Sequence, residues 1–96
     1  MAYVLNIFAE DGAHPKVFKT IDDAGRELTR QMGAKPRDGV QLNKRYHDSW
    51  GRRLVIEERP AGWTARKETM LGEAYDAREC GTATPEQIAF LHHFNF

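Results

Sequence analysis

The chain opens on an alternating run in which Tyr3, Leu5, Ile7 and Ala9 share one parity while Val4, Asn6 and Phe8 occupy the other. A mostly apolar segment with period two predicts a strand buried on at least one face. Glu10-Asp11-Gly12-Ala13-His14-Pro15 then reads as a turn, because Asp-Gly supplies the positive φ and Pro15 disfavours helix at His14. Val17-Phe18 extends briefly beyond it, as a second strand or an apolar staple. At Thr20 the period changes to that of a helix. Thr20 is the expected N-cap, Asp22, Asp23 and Glu27 place negative charge near the positive end of the dipole, and Ile21, Ala24, Leu28 and Met32 recur at helical spacing. Gly33 and Pro36 end it.

Period two returns at Val40, Leu42, Lys44 and Tyr46. It breaks at the polar stretch His47-Asp48-Ser49-Trp50-Gly51 and resumes at Leu54 and Ile56, which alternate with Arg53, Val55 and Glu57. This pattern predicts a hairpin with its tip at the break. Pro60-Ala61-Gly62 closes the second strand, and Trp63-Thr64-Ala65 reads as a short third. Glu68 through Cys80 is rich in helix formers, with Met70, Leu71, Ala74, Tyr75 and Arg78 along one side, and Gly81 stops it. Thr84-Pro85-Glu86-Gln87 has the form of a capping box with proline at the first helical position. It predicts a last helix directing Ile88, Leu91 and Phe94 to the core. The order implies an α+β fold in one domain, residues 1–96: a small antiparallel sheet (strand, helix, hairpin) packed on one face by helices, two of them C-terminal. The competing arrangement is a more helical protein.

Length and composition narrow the function classes. A chain of 96 residues with 41% hydrophobic and 29% charged side chains has room and apolar content for one folded domain. A domain of this size buries only about 60–65% of its unfolded surface, so a partner or a second copy can add stability. The single cysteine, Cys80, makes no internal disulfide, and no apolar run approaches the ~18 residues of a membrane span. The N-terminal Met-Ala-Tyr-Val-Leu-Asn-Ile-Phe lacks the basic start and small-residue cleavage site of a signal peptide. The expected location is cytoplasmic, without membrane contact.

The formal net charge of zero hides a partition. Residues 1–34 carry 4 basic and 5 acidic side chains, residues 35–67 carry 9 and 4, and residues 68–96 carry 1 and 5, or −1, +5 and −4. A basic middle can steer an acidic partner; the alternative is that the basic and acidic segments neutralise each other.

Candidate chemistry is sparse. His14, His47, His92, His93, Asp48 and Cys80 show neither the i, i+4 pairing nor the C-x-x-C spacing of a metal site, so no metal or other cofactor is expected. Glu57 and Glu58 point to opposite faces of a strand, and Asp22 and Asp23 are explained by the helix dipole, so neither pair suits acid–base catalysis. Expectation therefore falls on a non-enzymatic binding protein. Its best surface is the basic hairpin: Lys44, Arg45, Arg52, Arg53 and Arg59 interleave with Tyr46 and Trp50, and Trp63, Arg66 and Lys67 follow. Among these, Lys44, Arg45, Tyr46, Trp50, Arg52, Arg53, Trp63 and Arg66 are the candidate binding residues. Tryptophan, tyrosine and arginine dominate protein-interface hot spots, while cations with flat rings also suit single-stranded nucleic acid. A protein partner is favoured, because zero net charge penalises non-specific binding to nucleic acid. The competing reading turns Tyr46 and Leu54 to the core, leaves the arginines solvated and uses Trp50 only to cover the turn. The tail Phe90-Leu91-His92-His93-Phe94-Asn95-Phe96 is apolar for a chain end; Phe90, Phe94 and Phe96 either dock on their own domain or join a homodimer.

The segment Thr20-Ile21-Asp22-Asp23-Ala24 through Gly33, the run Val40 to Tyr46, the turn at Trp50-Gly51-Arg52 and the strand Leu54 to Glu58 resemble, in layout, small phage-encoded inhibitors such as anti-CRISPR proteins. The resemblance covers about half the chain and includes no diagnostic motif. It implies a non-catalytic protein that binds a host complex and blocks nucleic-acid processing. The basic middle departs from the acidic habit of those inhibitors.

Overall fold

Two long strands built from the first eighteen residues form one side of the sheet. The computed structural model describes residues 1–96, which divide into two compact units, residues 1–65 and 66–96. In the first unit, β1 (Ala2–Ala9) turns at Glu10-Asp11 into β2 (Gly12–Phe18), and α1 (Ile21–Met32) follows. The chain returns through β3 (Tyr46–His47) and β4 (Arg53–Arg59). The sheet order is β2-β1-β4-β3, antiparallel throughout. This is the expected α+β class, with three corrections to the strands. β2 is a full strand of seven residues and not a brief extension; Pro15 is tolerated because β2 is an edge strand, where a missing N–H costs no ladder bond. The Val40–Tyr46 arm is a strand only at Tyr46. Asn43, at φ 63°, breaks the extended run, although its N–H still donates to Ile56 O at 2.8 Å. The short strand expected at Trp63-Thr64-Ala65 does not form either.

Register explains which face meets the helix. Leu5 pairs with Ile56 and Ile7 with Leu54, so these four side chains share one face. They join Ala24 and Leu28 of α1 and Tyr46 in the core, with Val40 and Leu42 packed against it. Val40 and Leu42 thus keep the apolar role their spacing predicted without being in a strand. Gly25 lies on α1 where an added Cβ would stand 3.4 Å from Val40, so the helix and residues 39–40 approach closely. Thr20 caps α1, accepting from Asp23 N at 3.1 Å, and Gly33 ends it at φ 78°.

α1 is tied to the sheet edge by charge as well. Glu27 accepts from Lys16 Nζ of β2 at 2.9 Å, from Arg30 Nε at 2.9 Å and from Gln31 Nε2 at 2.7 Å. Arg30 above all, helped by Gln31 and Lys16 and opposed by burial, lowers the Glu27 carboxyl from 4.5 to about 2. A carboxyl depressed in the folded state stabilises fully above its unfolded value and loses that contribution as pH falls toward the folded one. Acidification from pH 4.5 to about 2 should therefore remove roughly 1–2 kcal/mol, a figure reduced for the solvent around Arg30 and Lys16. Urea denaturation across that range should show the slope in the native chain and a flatter one in Glu27→Gln.

The second unit holds α2 (Ala65–Glu79), which begins in the last residue of the first, and α3 (Pro85–His93). α2 starts three residues before the expected Glu68. The capping box at α3 is complete: Gln87 N donates to Thr84 Oγ1 at 3.2 Å and Thr84 N to Gln87 Oε1 at 2.9 Å. Leu71, Ala74 and Leu91 are buried, whereas Met70 and Ile88, expected on the core side, are exposed. Cys80 is exposed too. No helix is long and apolar enough to cross a membrane.

Candidate functional site

The connection from β3 to β4 is a turn organised by one carboxylate. Asp48 Oδ1 accepts from Trp50 N at 3.0 Å and Arg52 N at 2.8 Å, and Oδ2 from Arg52 Nε at 2.5 Å. Asp48 N donates to Arg52 O at 3.2 Å, and Gly51 supplies the φ of 81° that closes the turn. Burial pushes the Asp48 carboxyl up, but the Arg52 N–H, the Arg52 side chain and the Trp50 N–H together hold it below its ordinary value.

Arg52 then reaches across to α1. Its Nη1 donates to Gln31 Oε1 at 3.1 Å and its Nη2 to the Gln31 carbonyl at 3.0 Å. That carbonyl belongs to the last turn of α1, where backbone acceptors lack helical partners and a cation is favoured. A continuous network therefore runs Lys16–Glu27–Gln31–Arg52–Asp48, from β2 through α1 to the turn. Held on this brace, Trp50 projects with 83% of its surface exposed. The bond to Asp48 fixes the Trp50 backbone, and the ring itself stands in solvent. Asp48→Asn removes the charge and turns an N–H donor or a single acceptor toward Arg52. Hydrogen exchange at the Trp50 and Arg52 amides should then speed by about tenfold or more, with a lower Tm; unchanged exchange would show that the turn does not depend on the carboxylate.

The expected binding residues separate into two sets. Lys44, Arg45, Trp50 and Arg66 are exposed and Arg53 is half-buried. Arg66 lies in the second unit. Tyr46, Trp63 and Arg52 are corrections. Tyr46 is buried, its hydroxyl donating to Gly39 O at 3.2 Å and accepting from Gln41 N at 2.9 Å; it fastens residues 39–41 to the sheet. Trp63 is only 4% exposed. Arg52 braces the turn.

Arg53 occupies the sheet face opposite α1. Its cross-strand neighbour is Phe8, and the guanidinium carbon lies 4.5 Å from the centre of that ring, a cation–π contact. Phe8, Asn43, Arg45, Arg53, Val55 and Glu57 line a pocket of about 210 Å³. Sequence reasoning omitted Phe8 and Asn43 from the site; the even parity shared by Val4, Asn6 and Phe8 was the signal that could have separated Phe8 from the α1 core.

A larger groove, about 550 Å³, runs along α1 beside residues 35–40. Ile21, Gly25 and Val40 contribute apolar surface, Asp22, Arg26, Thr29 and Lys35 polar groups. Arg26 is already tied to Asp23 at 3.0 Å.

In the second unit the aromatic tail is engaged within its own chain. Phe90 and Phe94 meet edge to face at 5.1 Å, Phe96 and Tyr75 at 6.1 Å, and Phe96 O accepts from Arg78 Nη1 at 3.1 Å. Phe90, Phe94 and Phe96, the expected self-association residues, are half-buried there.

No family model, no curated protein and no solved structure matches this chain.

Proposed function

We propose that this chain is a small non-catalytic binding module that inserts Trp50 into a protein partner carrying an acidic surface. The observation that carries this reading is the pairing of a tryptophan 83% exposed with a turn whose carboxylate and arginine are fully engaged in fixing it. Charge supports an acidic partner: Lys35, Arg37, Lys44 and Arg45 are exposed between α1 and β4, and cations around an aromatic anchor set encounter rate and register. Nucleic acid is the weaker reading, because groove-type binding needs successive stacking platforms. Tyr46 and Trp63 are buried and the face of Phe8 is taken by Arg53, which leaves Trp50 alone among the rings of this segment. The narrower reading, in which the partner is a host nucleic-acid-processing complex, rests on the layout resemblance only. The test is capture from a nuclease-treated lysate of the cells the protein comes from, comparing the native chain with Trp50→Ala. One protein recovered by the first and lost by the second is the expected result. Equal recovery by both, or recovery that disappears with nuclease, would overturn it.

A further inference from the structure

Most arginines of the first unit have acceptors: Arg26 has Asp23, Arg30 has Glu27, Arg52 has Asp48 and Gln31, and Arg59 has Glu57 and the Glu58 carbonyl. Arg37, Arg45 and Arg53 have none. Arg53 is placed by its stacking on Phe8 alone, and its buried Nε has no acceptor in the protein. Arg45 is exposed without an ion pair or hydrogen bond. These two line the same pocket, together with Asn43, whose backbone is held at φ 63°. Glu57, the one carboxylate in the lining, already accepts from Arg59 Nη2 at 3.2 Å.

We propose that Arg45 and Arg53, with the Asn43 amide, form a receptor for a phosphoryl group, presented as a phosphate monoester by the protein partner. The choice follows from counting donors. One guanidinium saturates a carboxylate in bidentate fashion, whereas two guanidinium groups and an amide suit the three terminal oxygens of a monoester. The dianion also gains more from two cations than a singly charged carboxylate or phosphodiester does. The contact with Phe8 orients the planar Arg53 guanidinium without using any of its N–H donors. The pocket volume of about 210 Å³ holds one such group and excludes a nucleobase stacked on Phe8, whose face is occupied. The inference deepens the reading of this face and rests on it for the nature of the partner, while the anion site can be tested without any partner.

Inorganic phosphate, exchanged against chloride at constant ionic strength near pH 7.5, should move the Arg53 Nε–Hε resonance and the amides of residues 43–45 in a saturable way. The expected dissociation constant is about 1–10 mM. Arg45→Gln and Arg53→Gln should each weaken it by about tenfold or more, and Lys19→Gln, exposed and outside the pocket, should leave it within about twofold. Arg45→Gln carries the test if loss of the Phe8 contact unfolds Arg53→Gln, because Arg45 touches no partner in the fold. Phosphoserine should bind at least as well as phosphate, and acetate more weakly. No saturable shift, equal binding by the Arg45→Gln chain, or a single-stranded oligonucleotide binding tighter than phosphoserine would overturn the proposal. Trp50→Ala should leave phosphate binding intact, so failure of the anion site and failure of the Trp50 anchor give different results.

Discussion

Trp50→Ala should weaken binding of the protein partner by about 30- to 1000-fold, the range of an interface hot spot worth roughly 2–4 kcal/mol, while moving Tm by less than about 1 °C. The two halves of this expectation come from one fact. With 83% of its surface in solvent, the ring makes few contacts that folding depends on, so its loss hardly changes the native state. The turn needs only the Trp50 backbone N–H for its bond to Asp48, and alanine retains it. The whole cost therefore falls on the complex, where a ring carried on a fixed backbone would be buried. Thermal unfolding and titration calorimetry on the same two samples check it. A fall in Tm of several degrees would mean that Trp50 covers the turn as a structural residue, and unchanged affinity would remove it from the interface.

Leu28→Ala should produce the largest loss of stability, about 3 kcal/mol within the 2–5 kcal/mol range of buried leucine truncations. Leu28 has no exposed surface and stands on the face of α1 that meets Leu5, Ile7, Leu54 and Ile56. The neighbours are held by sheet register on one side and helix geometry on the other, so they can close little of the cavity. For a small domain the loss corresponds to a fall in Tm of about 12–24 °C, enough to unfold a marginal protein near 37 °C. Below the new transition, binding should be close to native, since Arg52 still holds Gln31 and Asp48. A loss under about 1 kcal/mol would mean that α1 is not packed on the sheet as described.

Sequence patterns revealed the parts of the fold whose causes are local. The Thr20 cap, the Gly33 stop and the Thr84–Gln87 capping box are decided within four residues of each other, and all three stand where their spacing placed them. The strand pairing was hidden because β1 and β4 join residues about fifty positions apart, as Ala2 with Arg59 or Val4 with Glu57. β2 was shortened by Pro15, a residue that argues against a central strand and says nothing against an edge. At Val40 and Leu42 the period was right about burial and wrong about conformation, because Asn43 adopts a positive φ that the alternation does not encode.

The site shows the same division. The polar break at His47–Gly51 marked the turn, and Trp50, Arg45 and Arg53 stood out by residue type. What set Arg52 apart from Arg53 is a link to Gln31, 21 residues away, and a ring at Phe8 brought across by sheet register. Neighbouring arginines thus received opposite duties from contacts that no short window contains. Tyr46, a binding ring by residue type, is likewise joined through its hydroxyl to Gly39 and Gln41.

The most direct test of Trp50 as an anchor is a photo-crosslinking tryptophan analogue, which keeps the indole ring, placed at position 50, with the same label at exposed Lys19 as the comparison. Labelled chain is irradiated in nuclease-treated lysate and the adducts are identified by mass spectrometry. The expected result is one dominant protein adduct from position 50, carrying an acidic or phosphorylated segment at the cross-linked peptide, suppressed by excess native chain and not by Trp50→Ala. Diffuse labelling from position 50 no different from that at position 19, or suppression by Trp50→Ala equal to that by the native chain, would contradict it.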